Sequence, residues 1–377
     1  MNQTTEKLKA VLAHVKSTFV GKDEVVDLLG IALIAKENAF LLGPPGTAKS
    51  AIVRQLSSCI EGGKNFEYLL TRFTEPNEIF GPFDIRKLKD GLLVTNVEGM
   101  MPEAAVVFLD EIFNANSAIL NSLLMALNER IFRRGKETIQ LPALMFVGAS
   151  NVLPEDEALN ALLDRFLLRV RCDYVSPDLL SEVLLAGWQL ENNHQQSPPT
   201  IHPDEIRTLQ TASKQVDLTP VRKQYIEVIQ SIRTTGIKVS DRRAVKIQNL
   251  IAASALICNR QEAQLSDLWV MKYIWDTEEQ IEILNGIVNN IIEQEAGDHH
   301  HPQASTSRLP NPETLMKELQ TLQKNWEQPD ISFKEKNRIK DKLRYLQSRT
   351  EWIQNSSQKA KLTETMESLW ASILAEA

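Results

Sequence analysis

Several absences narrow the possibilities at once. The 377 residues include only three cysteines, Cys59, Cys172 and Cys258, set far apart and without C-x-x-C spacing. That excludes a disulfide framework and a cysteine-built zinc site, and it fits a reducing compartment. No apolar run is long enough to span a bilayer. The opening MNQTTEKLKA is polar and lacks the apolar stretch of a signal peptide, so a cytoplasmic protein is expected. Excess positive charge is missing too: 42 Lys and Arg stand against 49 Asp and Glu, for a net charge of −7. Generic binders of nucleic acid or anionic membranes are more often basic, so neither is an expected partner. What is present, 43% hydrophobic and 24% charged residues, is the composition of a soluble globular protein, and the length favours two or three domains.

The stretch LLGPPGTAKS, residues 41 to 50, carries the first chemistry. NAFLLG (38–43) is a short apolar run ending at a glycine and reads as a buried strand. SAIVRQLSSCI (50–60) places Ile52, Val53, Leu56 and Ile60 at helical spacing. A Gly/Pro loop joining a strand to a helix start is the context of a phosphate-binding loop. Backbone N–H groups of Gly43, Pro44, Pro45, Gly46, Thr47 and Ala48 (the prolines excepted) and the positive helix end face an anion there. Lys49 reaches the β and γ phosphates, and the Ser50 hydroxyl ligates Mg²⁺. The usual pattern has glycine where this chain has Ala48. If residue 48 already lies on the first helical turn, alanine fits without strain.

AAVVFLDE (104–111) is an apolar strand pattern ending in two carboxylates, at the strand end where open α/β sheets bind ligands. Asp110 can join the Mg²⁺ shell, and Glu111 can polarise a water for attack on the γ-phosphate. The plainer reading is an acidic helix N-cap, since ILNSLLMALNER follows. LMFVGASN (144–151) is a third apolar strand. Its terminal Asn151 can position water or contact the γ-phosphate, or be an ordinary turn residue.

With these motifs in this order, the sequence resembles the AAA+ ATPases, and among them the MoxR group in its RavA-like branch. GPPGTAKS is similar to that group's Walker A form, where alanine before the lysine is common. VVFLDEI matches Walker B, and GASN resembles sensor 1. ALLDRF (161–166) resembles the arginine-finger segment, and VSDRRAVK (239–246) the sensor 2 region. EYLLTRFTEPNEIFGP (67–82) and ALNERIFRRG (126–135) are also RavA-like in wording. The resemblance covers roughly residues 5 to 290 and implies a set of roles. Lys49 and the loop amides bind phosphate; Ser50 and Asp110 hold Mg²⁺; Glu111 activates water; Asn151 senses the γ-phosphate. Arg165 reaches into a neighbouring subunit's site, and its plainer reading is a surface pair with Asp164. Arg242 touches the nucleotide from the lid, with the adjacent Arg243 as the alternative. Val20 and Gly21 begin the adenine pocket.

Residues 1–175 are expected to form the α/β AAA+ domain, with parallel strands at 38–42, 66–71, 105–109, 143–150 and 167–173. Between two of these, Ile79 to Met101 reads as an insert with a hairpin at Asp90-Gly91. IFRRGKETIQL (131–141) reads as a second hairpin turning at Gly135. Residues 176–294 have 3.6-period apolar faces and are the expected helical lid. Residues 295–312 are a linker by composition, and its His299, His300 and His301 lack the shared rigid face of a metal site. Residues 313–377 carry three apolar stripes, on Leu315, Leu319, Leu322 and Trp326, on Ile339, Leu343 and Leu346, and on Leu362, Met366, Leu369 and Ile373. They predict a three-helix bundle. The RavA-like pattern adds a larger β-rich insertion there, for which 313–377 leave no room, so partners bound through it are not carried over.

The function implied is Mg²⁺-dependent hydrolysis of ATP to ADP at the interfaces of a homo-oligomeric ring, a hexamer. It would drive chaperone-like remodelling of a client protein complex with a von Willebrand A-domain partner. Two alternatives stand beside it. A nucleotide-gated scaffold would not need Glu111, Asn151 and Arg165. A DNA-dependent motor would draw on Lys87, Lys89, Arg133, Arg134 and Lys136 of the two expected hairpins.

Overall fold

The computed structural model describes residues 2–89, 93–176, 179–192, 198–292, 301–304, 312–326, 339–340, 343, 346–347, 350 and 356–375. The chain forms two compact units, residues 1–305 and 306–377.

The first unit is built on five parallel strands: β1 (Ala39–Leu42), β2 (Asn65–Leu69), β3 (Val106–Asp110), β6 (Met145–Ser150) and β7 (Leu168–Arg171). Their order across the sheet is β2-β3-β6-β1-β7. β1 and β6 are buried along their whole length, as expected of strands covered on both faces. Helices α2 (Asp23–Ala35) and α3 (Lys49–Ser58) pack on this sheet, α1 (Asn2–Thr18) packs on α2 and α3, and with α6 (Ser117–Glu129) they merge into one apolar core. α6 begins at Asn116, whose Oδ1 accepts from the amides of Ala118 and Ile119 at 3.1 Å each. The cap is therefore this amide, not Asp110 or Glu111, and the plainer reading of the acidic pair falls away.

The insert after β2 runs through two short helices, α4 (Pro76–Phe80) and α5 (Ile85–Lys89). Its flanks pair antiparallel at Phe83 and Thr95, with Asp84 N donating to Val94 O at 2.8 Å. The expected turn at Asp90-Gly91 lies outside the described residues, and 85–89 is helical rather than a hairpin strand. The second hairpin forms as β4 (Ile131–Arg134) and β5 (Glu137–Gln140), with Gly135 at φ 59°. Arg134 joins the two inserts. Its guanidinium lies 3.8 Å from the centre of the Phe83 ring and donates to Gly81 O at 2.8 Å.

α7 (Glu157–Leu163) precedes β7, and a helical region follows it: α8 (Leu180–Asn192), α9 (Pro203–Ser213), α10 (Arg222–Thr234), α11 (Asp241–Ile257) and α12 (Glu279–Ile292). A 3₁₀ segment, Leu265–Tyr273, lies before α12 and carries the fully buried Trp269. α11 docks on Glu37, just before β1, through Lys246 at 2.9 Å and Asn249 at 3.1 Å. Part of the segment expected to be linker packs on this unit. His301 is 1% exposed and stacks on Trp269 with ring centres 4.6 Å apart, and Gln303 donates to Asp27 at 2.9 Å. Burial pushes the His301 imidazole down to about 4. His299 and His300 lie outside the described residues.

The second unit contains α13 (Pro312–Trp326), a helix at Ser356–Ala375 and helical residues between them. Every residue of the three apolar stripes is buried in one shared core. Among the described residues, no helix of the chain is long and apolar enough to cross a membrane.

Candidate active site

The strand order explains the site. β1, β6 and β3 lie side by side and parallel, so the residues that follow their C-terminal ends fall in a row. Lys49 follows β1, Asn151 follows β6 and Glu111 follows β3. Lys49 Nζ donates to Asn151 Oδ1 at 3.1 Å, and Asn151 Nδ2 donates to Glu111 Oε1 at 2.5 Å. Ser50 Oγ donates to Asp110 Oδ2 at 3.2 Å. The Lys49 ammonium also donates to Gly43 O at 2.6 Å and Pro44 O at 3.0 Å. Gly43, Pro44, Pro45, Gly46, Thr47 and Ala48 form the loop between β1 and α3, as expected of a phosphate cradle.

Two glycines are required for different reasons. A Cβ on Gly43 would lie 2.0 Å from the carbonyl oxygen of Cys172, because the ends of β1 and β7 come this close. Gly46 has φ 79°, which L side chains rarely adopt. Ala48 overturns the expectation of an unstrained helical position. It precedes α3 at φ 66° and ψ 18°, in the left-handed region. The loop needs this turn to aim its amides before the helix begins, and alanine tolerates it at a cost of about 1–2 kcal/mol. Glu111 is also left-handed, at φ 50° and ψ 45°. Two of the chain's few left-handed non-glycine residues thus lie in one site, where strain of this kind concentrates.

Val20 and Gly21 sit at the mouth beside the segment after β7. A Cβ on Gly21 would meet Val175 at 3.0 Å and Leu179 at 3.3 Å. Two neighbours went unnoticed in the sequence. Lys22 is 7% exposed and donates to Asp173 O; burial lowers its ammonium below the usual range, and the nearby Lys49 charge lowers it further. Tyr174 Oη donates to Pro45 O at 3.2 Å, on the loop itself. A lone lysine and a lone tyrosine carry no motif, so only the fold reveals them. Cys172, whose carbonyl closes on Gly43, has its thiol pushed up to about 12 by burial and is inert as a nucleophile.

Arg165 and Arg242 lie elsewhere. Asn38, just before β1, donates to Arg165 O at 2.7 Å and to Leu127 O at 3.1 Å. Arg242 donates to Asn128 Oδ1 at 2.9 Å. Both arginines therefore sit at the start of β1, roughly 16 Å along the strand direction from the loop at its end. With Asp164, Ser240, Arg243 and Lys246 they line one shallow depression. The structure does not bring Arg242 to the phosphate loop of its own chain, contrary to expectation, because α11 docks beside Glu37 at the opposite sheet edge. Arg243, its alternative, is 5% exposed and bound inward to Asp276 at 2.8 Å, which leaves Arg242 as the exposed member of the pair. Arg165 does pair with Asp164, at 2.8 Å.

The residues present fit a nucleoside triphosphate with a divalent cation. The loop surface at Gly46 is open, with nothing within 4 Å of where a Cβ would stand. A hydroxyl beside a carboxylate is a hard-oxygen pair of the kind that holds Mg²⁺ together with substrate phosphates. Among the described residues no group of three or more His, Cys, Asp or Glu could hold a metal by itself.

Fold and site together define a phosphate-loop protein of the AAA+ class with a helical lid. Residues 6–211 match the profile of the MoxR domain in the MoxR-vWA-beta-propeller ternary systems, and 217–288 match an AAA lid domain. An uncharacterized Methanocaldococcus jannaschii protein, MJ0079, is 34% identical over 293 residues, covering 77% of this chain and 76% of its own. The chaperone MoxR1 of Mycobacterium tuberculosis is 28% identical over 181 residues, 47% of each chain. A crystal structure from Cytophaga hutchinsonii, provisionally assigned as an ATPase, superposes with a TM-score of 0.63 at 19% identity. It covers 78% of this chain and 96% of that one. The chain belongs to the MoxR family of AAA+ ATPases.

Proposed function

We propose that this protein hydrolyses ATP to ADP at the junctions of a ring of identical copies, and that the cycle remodels a client protein complex. The observation that carries this reading is the division of the machinery between two edges of one sheet. Lys49, Ser50, Asp110, Glu111 and Asn151 lie at one edge, and Arg165 with Arg242 at the other. Within one copy these side chains meet Asp164 and Asn128 and lie too far from the loop to act on its own phosphates. A head-to-tail neighbour can use them, and such contacts close into rings.

In this reading the loop amides and Lys49 hold the β and γ phosphates. Ser50 and Asp110 hold Mg²⁺, which when bound neutralises charge on the phosphate oxygens. Asn151 orients Glu111, whose carboxylate accepts a proton from the attacking water. The water oxygen bonds to the γ-phosphorus as the bond to the β-phosphate oxygen breaks, and ADP and phosphate leave. Arg165 and Arg242 of the adjacent copy stabilise charge on the transferring group. The family profile supports a von Willebrand A-domain partner, with a β-propeller protein as a further component of such systems. Placement in the RavA-like branch and in the cytoplasm, and six copies per ring, belong to the same proposal.

The test is steady-state turnover against protein concentration for wild type, Glu111→Gln and Arg165→Ala. Specific activity is expected to rise with concentration, and each variant to lose about 100-fold or more while Glu111→Gln still binds ATP. Wild-type turnover independent of concentration, with Arg165→Ala fully active, would sink the interfacial reading.

A further inference from the structure

The two edge arginines are joined by a partly buried device drawn from three separate segments. Arg169, in β7, is 1% exposed. Its Nε donates to Phe166 O and its Nη2 to Leu163 O, each at 3.1 Å. Those carbonyls flank Arg165 on either side in the turn between α7 and β7. Arg169 Nη1 donates to Trp275 O and to Asp276 Oδ1. The same Asp276 oxygen accepts from Arg243 Nη1 at 2.8 Å, and Arg243 Nη2 donates to Ile274 O. Arg243 is the chain neighbour of Arg242. Asp276 is itself fixed, since its amide donates to Gln280 Oε1 at 2.7 Å. One carboxylate oxygen thus connects the turn carrying Arg165 to the helix start carrying Arg242.

This is an expensive way merely to attach a lid. Two buried guanidinium groups share one carboxylate that is itself 34% exposed, so two positive charges are held out of water with only partial compensation. Well-packed apolar side chains of similar volume are often at least as stable as a buried ion pair. A planar guanidinium bound on several edges gives something apolar packing does not, a fixed direction for the backbone it grips. Direction matters here, because a displacement of about 1 Å in a group that meets a reacting phosphate can cost 100-fold in rate.

We propose that Arg169 and Asp276 are positioning residues that hold Arg165 and Arg242 as one unit facing the triphosphate of a neighbouring copy. The inference rests on the interfacial reading above. Neither residue touches nucleotide. Asp276 supplies the charge that keeps the two inward guanidinium groups together, and Arg169 transmits the position to the α7–β7 turn.

Asp276→Asn removes that charge while keeping the shape. The variant is expected to bind a fluorescent ATP analogue at its own loop within about twofold of wild type and to lose kcat about tenfold or more with KM little changed. The deciding measurement mixes it with Lys49→Ala, which lacks its own phosphate lysine but carries an intact arginine edge. Alone, Lys49→Ala is expected to be inactive and Asp276→Asn to keep about a tenth of wild-type turnover or less. Mixed before nucleotide is added, they should regain roughly a quarter of wild-type turnover, the chance of meeting in the productive order around a head-to-tail ring. A variant that is simply misfolded gives no such rescue, and Arg169→Lys, whose three ammonium donors cannot replace a planar group bound to four acceptors, should behave in the same way as Asp276→Asn. The inference is overturned if Asp276→Asn keeps wild-type kcat, or if a folded, ATP-binding Asp276→Asn is not rescued by Lys49→Ala. If Arg165→Ala is itself fully active, the interfacial reading and this inference fall together. If Arg165→Ala is inactive and Asp276→Asn is not, the positioning role alone falls.

Discussion

Replacing Ala48 with glycine separates backbone strain from every other effect when it is paired with Ala51→Gly. Both residues are half-buried alanines, three positions apart. Each substitution removes the same methyl group and gives the unfolded chain the same extra freedom, worth about 0.4–1 kcal/mol. They differ in the folded state. Ala51 lies inside α3, where glycine has no compensating advantage. Ala48 sits at φ 66°, where the alanine Cβ itself costs about 1–2 kcal/mol and glycine costs nothing. Ala51→Gly should therefore destabilise by about 1 kcal/mol, and Ala48→Gly should be neutral or stabilising. The difference between them is the strain, about 1–2 kcal/mol. An entropy of about 2.1 cal/mol/K per residue over the 305-residue unit converts this to a gap of about 1.5–3 °C in Tm. Urea unfolding of nucleotide-free protein, with the two variants side by side, reads the same gap as a difference in midpoint. Equal destabilisation by the two substitutions would refute the argument, because it would put residue 48 in ordinary helical conformation.

Two further expectations follow from the structure. Gly43→Ala forces a methyl group to 2.0 Å from Cys172 O, so β7 must move from β1. It should cost about 1–3 kcal/mol or more and weaken ATP-analogue binding, whereas Gly286→Ala, in open space on α12, should stabilise by about 0.5–1 kcal/mol in the same thermal melts. His301, held at about 4 by burial, with Asp267 opposing and Lys16 and Arg260 adding, binds fewer protons folded than unfolded. Stability is full above the unfolded value of 6.5 and falls as pH drops from there toward 4, by up to about 3 kcal/mol. His301→Phe keeps a ring against Trp269 and should flatten this part of the pH–stability curve. An unchanged slope would show that other groups cause it.

The phosphate loop, the acidic strand end and the terminal asparagine were legible because each joins a short apolar run to a few residues of special chemistry. Periodicity exposed the three stripes of 313–377 for the same local reason, and all their members share one core. Reading failed where the outcome depended on long-range contacts. Residues 85–89 looked like one arm of a hairpin because Asp90-Gly91 follows them, yet they are helical. His301 looked like linker because its surroundings are polar, and nothing near it in sequence announces Trp269. Ala48 looked harmless because alanine favours helices, whereas the loop demands a left-handed turn one residue before the helix starts.

The division follows from the range of the forces involved. Hydrophobic period, loop glycines and charge at strand ends act over a few residues, so the sequence alone determined the class of site and the identity of Lys49, Ser50, Asp110, Glu111 and Asn151 as its candidate members. The order in which parallel strands align is set by burial across the whole sheet. Only the tertiary structure decided that β6 lies between β1 and β3, so that Asn151 bridges Lys49 and Glu111. It also decided that α11 docks at the far edge, placing Arg242 beside Arg165 and away from the phosphates of its own chain.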